Sequence, residues 1–148
     1  MTDATQLFLD LVRAETRLYN LVDDRISAAH GASIGQVQLL DIIARTENAR
    51  VDDIAREIDI RAGTASKAVD RAEAAGLVRR APNPDDRRSS LLSLTDAGTE
   101  LLSAAMPTFE AAVQELTGSA LSPAELSALA ATLAKLRAAL FAGQPPRP

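Results

Sequence analysis

The stretch Arg61-Ala-Gly-Thr-Ala-Ser-Lys-Ala-Val-Asp-Arg-Ala-Glu-Ala-Ala-Gly76, running on into Leu77-Val-Arg-Arg80, decides the reading of this chain. Ala65, Ala68, Val69 and Ala72 recur at helical spacing and form one small apolar face, while Thr64, Ser66, Lys67 and Arg71 fall largely off it. Such a helix can lie close to its support on the alanine side. Its other side offers hydroxyls and cations, a set that suits the base edges of a DNA major groove. Gly76 is the expected stop, because glycine accepts the left-handed conformation of a helix C-terminus. Leu77-Val78-Arg79-Arg80 and Leu91-Leu92-Ser93-Leu94 then read as strands, with turn chemistry in Pro82-Asn-Pro-Asp-Asp-Arg-Arg88 between them. The result is a hairpin, or wing, with Arg87 and Arg88 at its tip.

Working outward, Val51 to Ile58 reads as a short helix with Ile54, Ala55 and Ile58 inward and Asp52-Asp53 in its first turn, where the helix dipole favours negative charge. Asp59-Ile60-Arg61 makes a tight connection, so short helix, turn and reading helix form a helix-turn-helix. Before it, a helix from about Gly35 to Arg45 presents Val37, Leu39, Leu40, Ile42 and Ile43. The first helix runs from Thr2 to about His30 with a stripe of Leu7, Leu11, Leu18, Leu21, Val22 and Ile26. After the wing, Thr95 is the expected N-cap of a helix from Asp96 to about Leu116, kinked at Pro107. Ser122-Pro-Ala-Glu125 joins a capping-box spacing to proline at the first helical position. That last helix carries Leu126, Leu129, Leu133, Leu136 and Leu140 to about Ala142, and a disordered tail is expected over 143–148.

The fold class is therefore mainly α with a small β-hairpin wing: a winged helix-turn-helix over 33–95, flanked by a long N-terminal helix (1–32) and C-terminal helices (96–142). The flanking helices carry more apolar surface than the central unit can cover. Pairing with a second copy is the commonest solution, so they are read as dimerisation helices, against the plainer alternative of a monomeric helical bundle.

Composition narrows the function classes. There is no cysteine, which removes disulfides, thiolate metal sites and thiol redox sensing. With a single histidine, His30, a zinc site would need carboxylates to do most of the binding, and no nucleophile–base constellation for catalysis converges. Neither a cofactor nor an enzyme activity is expected. The formal net charge of −4 argues against a polyanion partner until its distribution is considered: 61–92 holds seven cations against four carboxylates, a net of +3, leaving −7 elsewhere. An acidic body with one basic stripe orients on DNA while limiting non-specific sticking. With no secretory signal and no apolar run near 18 residues, no membrane association and a cytoplasmic location are expected.

The order of elements, together with Gln38-Leu-Leu-Asp-Ile42, Val51-Asp-Asp-Ile-Ala55, Thr64-Ala-Ser-Lys-Ala-Val-Asp-Arg71, Gly76-Leu-Val-Arg-Arg80 and Asp85-Asp-Arg-Arg-Ser-Ser-Leu-Leu-Ser-Leu-Thr-Asp-Ala-Gly98, resembles the MarR family of bacterial transcription regulators up to Ala142. The resemblance implies a homodimer that binds a palindromic operator in double-stranded DNA, as a repressor released by a small-molecule effector. It places Thr64, Ser66, Lys67 and Arg71 at the major groove and Arg88 in the minor groove, with Asp86 as the acid that steadies Arg88. Arg79, Arg80 and Arg87 complete the expected DNA-binding set. Effector pockets in the family lie between the dimerisation helices and the winged unit, which makes Tyr19, His30 and Gln38 candidate lining residues.

Departures from the family pattern are Arg61 and Gly63 at the start of the reading helix, Gly35 in place of a threonine cap, and Ala72 in place of leucine. The reading helix is therefore expected to start late or loosely. The competing reading is a winged-helix dimer that has lost DNA and serves as a protein scaffold, against which stand the cations at Lys67, Arg79, Arg80 and Arg88.

Overall fold

The computed structural model describes residues 3–143. Six helices and one hairpin follow in the order α1 (Ala4–His30), α2 (Ile34–Arg45), α3 (Val51–Ile58), α4 (Ala62–Ala74), β1 (Val78–Pro82), β2 (Ser90–Leu94), α5 (Asp96–Gly118) and α6 (Pro123–Phe141). The tail expected over 143–148 lies, apart from Gly143, outside the described residues, as does Thr2.

Local chemistry fixes most element ends. Asp3 caps α1 by accepting from the Thr5 N–H at 2.9 Å, and Gly31, at φ 64°, closes it in the left-handed conformation. The cap of α2 is Ser33 rather than the neighbourhood of Gly35. Its hydroxyl accepts from Gln36 N and the Gln36 side chain accepts from Ser33 N, so Gly35 falls one residue inside the helix. Thr95 caps α5 and Ser122 caps α6, the latter with Glu125 reaching back to the Ser122 N–H at 2.9 Å.

The reading helix starts at Ala62, with no late onset. Arg61 occupies its N-cap without a side-chain cap bond. Its far end is a Schellman closure: the Leu77 N–H donates to the Ala72 carbonyl and the Gly76 N–H to the Glu73 carbonyl, both at 2.9 Å, with Gly76 at φ 74°. The stop expected at Gly76 is the left-handed residue of that motif.

Two apolar clusters organise the chain. The winged lobe packs Leu40 and Ile43 of α2, Ile54 and Ala55 of α3, Ala65, Val69 and Ala72 of α4, and Val78 and Leu92 of the hairpin. The helical lobe packs Val22 and Ile26 of α1 with Ile34 and Val37 of α2 and Ala105 and Ala112 of α5. Helix α2 thus serves both. Met106, beside Pro107, packs against the second cluster.

The strands are antiparallel, with Val78 opposite Leu94 and Pro82 opposite Ser90. A further bond, Leu92 N–H to the Ala49 carbonyl at 2.7 Å, pins the root of the hairpin to the loop before α3. The winged lobe is joined to α5 without slack: the Thr95 hydroxyl donates to the Gly76 carbonyl at 2.6 Å and accepts from the Gly98 N–H at 3.1 Å, and the Thr95 N–H donates to the Leu77 carbonyl at 3.0 Å. The C-terminus of the reading helix is therefore bolted to the N-terminus of α5.

Candidate nucleic-acid interface

Helix α4 buries Ala65, Val69 and Ala72 and leaves Thr64, Lys67, Asp70, Arg71 and Glu73 exposed, with Ser66 half-buried. Its small buried side chains let its axis come close to α3, as the apolar spacing requires. The expected DNA-facing residues do not form one continuous stripe. They divide between two concavities and the open surface.

The first concavity is a groove of about 540 Å3 between the helix starts and the wing. Ser66 and Gly63 of α4 form one bank, Arg88, Ser89 and Asp86 of the wing the other, and Arg50, Asp52 and Arg80 also line it. Of these, Arg50, Asp52, Gly63 and Ser89 were not legible as site residues. Arg50 is the N-cap of α3, its carbonyl accepting from the Asp53 N–H at 3.1 Å and its own N–H donating to Asp53 Oδ2 at 2.9 Å, and Ser89 belongs to the turn that shapes the tip. For Arg50 the only sequence signal is a cation directly ahead of an acidic first turn.

The wing tip is held by its own polar groups. Asn83, which is buried, donates from Nδ2 to Ser89 Oγ at 2.9 Å and accepts from the Asp85 N–H at 3.0 Å. Asp86 Oδ1 accepts from the Arg88 N–H at 3.0 Å. Asp86 thus steadies Arg88 through the backbone, by an Asx turn, and not by an ion pair with its guanidinium. The Arg87 and Arg88 side chains are exposed and make no ion pair among the described residues.

On β1 the two adjacent arginines diverge, because successive strand residues face opposite sides. Arg79 is exposed. Arg80 turns with buried Val78 toward α4, where its guanidinium lies 2.7 Å from Asp70 Oδ1 and 2.7 Å from Glu73 Oε2. Partial burial works against its charge, but the hydrogen bonds to Asp70 and Glu73 outweigh that and raise its pKa above the ordinary value.

The second concavity, about 470 Å3, lies between α1, α2, α3 and α4. Tyr19 and Gln38 line it together with Ser33, Gln36, Leu39, Ile54, Ile58 and Ile60. Thr64, Ala68 and Arg71 bring the reading helix into its wall. Burial, then the nearby Asp23 and Glu15, push the Tyr19 phenol up, so it stays a protonated hydrogen-bonding group. His30 is elsewhere: its Nε2 lies 2.8 Å from Thr108 Oγ1, tying α1 to α5. Of the three candidate effector residues, two are brought together and one is not. Arg71, expected at the major groove, makes no ion pair among the described residues and stands at the rim shared by helix and cavity.

Comparison with known proteins follows this geometry. The MarR family model matches residues 30–89, the span from the end of α1 through the wing tip. A MarR family transcriptional regulator from Streptomyces coelicolor, crystallised in complex with DNA, superposes with a TM-score of 0.85 at 25% identity over 97% of this chain and 92% of that one. Over this span the chain is similar to the MarR family. Among other relatives is BpsR of Bordetella bronchiseptica, whose DNA binding is regulated by 6-hydroxynicotinic acid. It matches with a TM-score of 0.80 at 26% identity, covering 89% of this chain and 98% of that one. An HTH-type transcriptional regulator of Bacillus subtilis, YdgJ, is 25% identical over 113 residues, 76% of this chain and 68% of its own. The fold of this chain is the winged helix-turn-helix that its sequence implies, and no described helix is long and apolar enough to cross a membrane.

Proposed function

We propose that this protein is a MarR-type transcriptional repressor that binds a palindromic operator as a homodimer in the cytoplasm and is released by a small molecule. The observation that carries the reading is the groove with half-buried Ser66 on a helix bank and exposed Arg88 on a wing bank. A reading helix in the major groove places the wing tip over the adjacent minor groove. Lys67 and Ser66 take the base-reading role, Arg79 and Arg87 the phosphate-positioning role, and Arg88 the minor-groove role. Two such helices on one face of DNA require half-sites roughly 10 base pairs apart. The functional units are the dimerisation helices, 1–32 and 96–142, and the winged unit, 33–95, with α2 spanning the boundary by its packing into both clusters.

The effector is assigned to the cavity beneath the reading helix. Apolar walls from Leu39, Ile54 and Ile58 with a few polar groups, Tyr19, Gln38 and Arg71, suit a small, partly apolar molecule with one acidic or polar end. Because Thr64 and Arg71 belong to both the cavity wall and the reading helix, occupancy there is felt directly at the DNA side.

The test is fluorescence anisotropy of the gene's own upstream duplex beside a scrambled duplex, at low and moderate salt. Tight, salt-sensitive binding that prefers the native duplex is expected. Equal and weak binding to both would count against the reading and favour a protein partner. In the same assay Arg88→Ala should weaken binding roughly tenfold. The loss should be largest for operators with A·T-rich flanks, whose narrow minor groove concentrates negative potential. An equal loss across all flanks would refute minor-groove insertion.

A further inference from the structure

One guanidinium on the DNA-facing side is not available to DNA. Arg80 sits two residues beyond buried Val78 on β1 and so leans toward α4, where one nitrogen meets Asp70 and another meets Glu73, each at 2.7 Å. Asp70 and Glu73 are three apart on α4 and therefore neighbours on its surface. A planar guanidinium can bridge two carboxylates at that spacing, whereas the compact ammonium of a lysine engages one well. The Arg80 side chain is 25% exposed, against 58% and 43% for its partners, so the cation is the inner member of the cluster. Lys67, Arg71, Arg79, Arg87 and Arg88 make no ion pair among the described residues, which sets Arg80 apart from every other cation between α4 and the wing tip.

The clasp lies below the groove whose banks are Ser66 and Arg88, and Arg80 itself lines that groove. The other fastenings of the hairpin act elsewhere. Leu92 is tied to Ala49 on the far strand, and the Asn83 and Asp86 turns shape only the tip. Beyond the buried Val78, the polar tie between β1 and the reading helix is Arg80.

We propose that Arg80 is a positioning residue that clasps the wing to the reading helix and fixes the distance between the two banks. It thereby makes the protein sensitive to the separation between a major-groove half-site and its minor-groove flank. This rests on the DNA-binding reading above and deepens it. It also replaces the expectation that Arg80 contacts DNA, and a clasp and a DNA contact predict opposite signs for one variant. Removing carboxylates from a DNA-facing helix strengthens binding when they merely repel phosphate. Removing them when they hold the wing in register weakens it.

The experiment compares wild type, Asp70→Asn/Glu73→Gln and Arg80→Lys on the native operator and on a duplex whose A·T-rich flank is moved by one base pair. Wing amide hydrogen exchange over 78–94 is measured without DNA. The clasp predicts that both variants bind the native operator roughly tenfold more weakly and lose most of their preference over the shifted duplex. It also predicts an unchanged salt slope and faster exchange in the wing. A phosphate-contacting Arg80 predicts equal or tighter binding by Asp70→Asn/Glu73→Gln and near-normal binding by Arg80→Lys. Either result, or unaltered exchange, overturns the clasp alone. Wild-type protein that discriminates no duplex overturns the DNA reading and the clasp's role in it together.

Discussion

Gly98→Ala is expected to lower the melting temperature by roughly 10 °C, on the order of 3 kcal/mol for a chain of this size. A Cβ built on Gly98 runs into the Leu77 carbonyl oxygen, with the Leu77 carbonyl carbon at 3.0 Å and its Cα at 3.4 Å. All three atoms are backbone, so no rotamer change relieves the overlap. The carbonyl cannot swing away cheaply either, since it accepts the Thr95 N–H at 3.0 Å in the same joint. The methyl group must therefore pry α5 from the end of the reading helix, straining the Thr95 hydroxyl bonds to Gly76 and Gly98. Gly63→Ala is the matching control. It adds the same methyl within the first turn of α4, where nothing lies within 4 Å, and should stabilise by about 0.5–1 kcal/mol through helix propensity. Thermal unfolding by circular dichroism checks both, and a Gly98→Ala protein melting within a degree of wild type would sink the account of the joint.

Leu133→Asp/Leu136→Asp is expected to convert a dimer into a monomer and to lower operator affinity by about 100-fold or more, the scale set by losing one of two linked half-site contacts. Helix α6 buries none of its residues within its own chain. Yet Leu126, Leu129, Leu133, Leu136 and Leu140 are spaced alternately three and four apart, the spacing of a helix seam. Their exposures run from 38% to 58%, and the N-terminal half of α1 adds Leu7 at 59% and Phe8 at 62%. Apolar surface on this scale calls for a protein partner, and terminal helices meeting their counterparts across a two-fold axis cover it. Charges at the centre of the seam would then be buried unpaired, which dimerisation cannot tolerate. No α6 residue belongs to either core cluster, so the winged lobe should stay folded and circular dichroism should retain most of the helical signal. Sedimentation velocity at micromolar concentration reads the outcome. A persistent dimer would place the seam elsewhere.

Most of the fold was legible because its signals are local. Apolar spacing located each helix, Gly76 and the Ser122–Glu125 box marked ends, and the proline and aspartate turn between two apolar runs announced the hairpin. The misreadings were also local in origin. Ser33 and Gln36 together outcompete Gly35 as a helix start, because a hydroxyl and an amide satisfy two orphan N–H groups that glycine cannot. Arg61 is a poor cap, yet α4 starts on time, since burial of Ala65 and Val69 sets the first turn.

The candidate site was legible in composition and not in arrangement. Seven cations in one stretch announced a polyanion-facing surface, and strand alternation already parts Arg79 from Arg80, but no spacing rule shows that Asp70 and Glu73 wait for the second of them. That depends on how β1 crosses α4, a tertiary fact. The same holds for His30, which the sequence places near Gln38 but the fold carries to Thr108, and for Arg50, whose place in the groove comes from the wing folding back over α3.

The wing tip has a consequence for how such a regulator changes over generations. Its turn is kept by Asn83, Asp86 and Ser89 through short polar bonds, while the side chains of Asp85, Arg87 and Arg88 are exposed and stand outside both apolar clusters. Replacing them leaves the turn's scaffold intact, so preference for flanking sequence can drift with almost no penalty in folding. The inner residues of the reading helix have no such freedom. On the proposed reading, a lineage descended from this protein would acquire new target genes by exchanging what stands on the outside, Arg87 and Arg88 for the flanks and Lys67 for the half-site, while Ala65, Val69 and Ala72 keep the reading helix where it is.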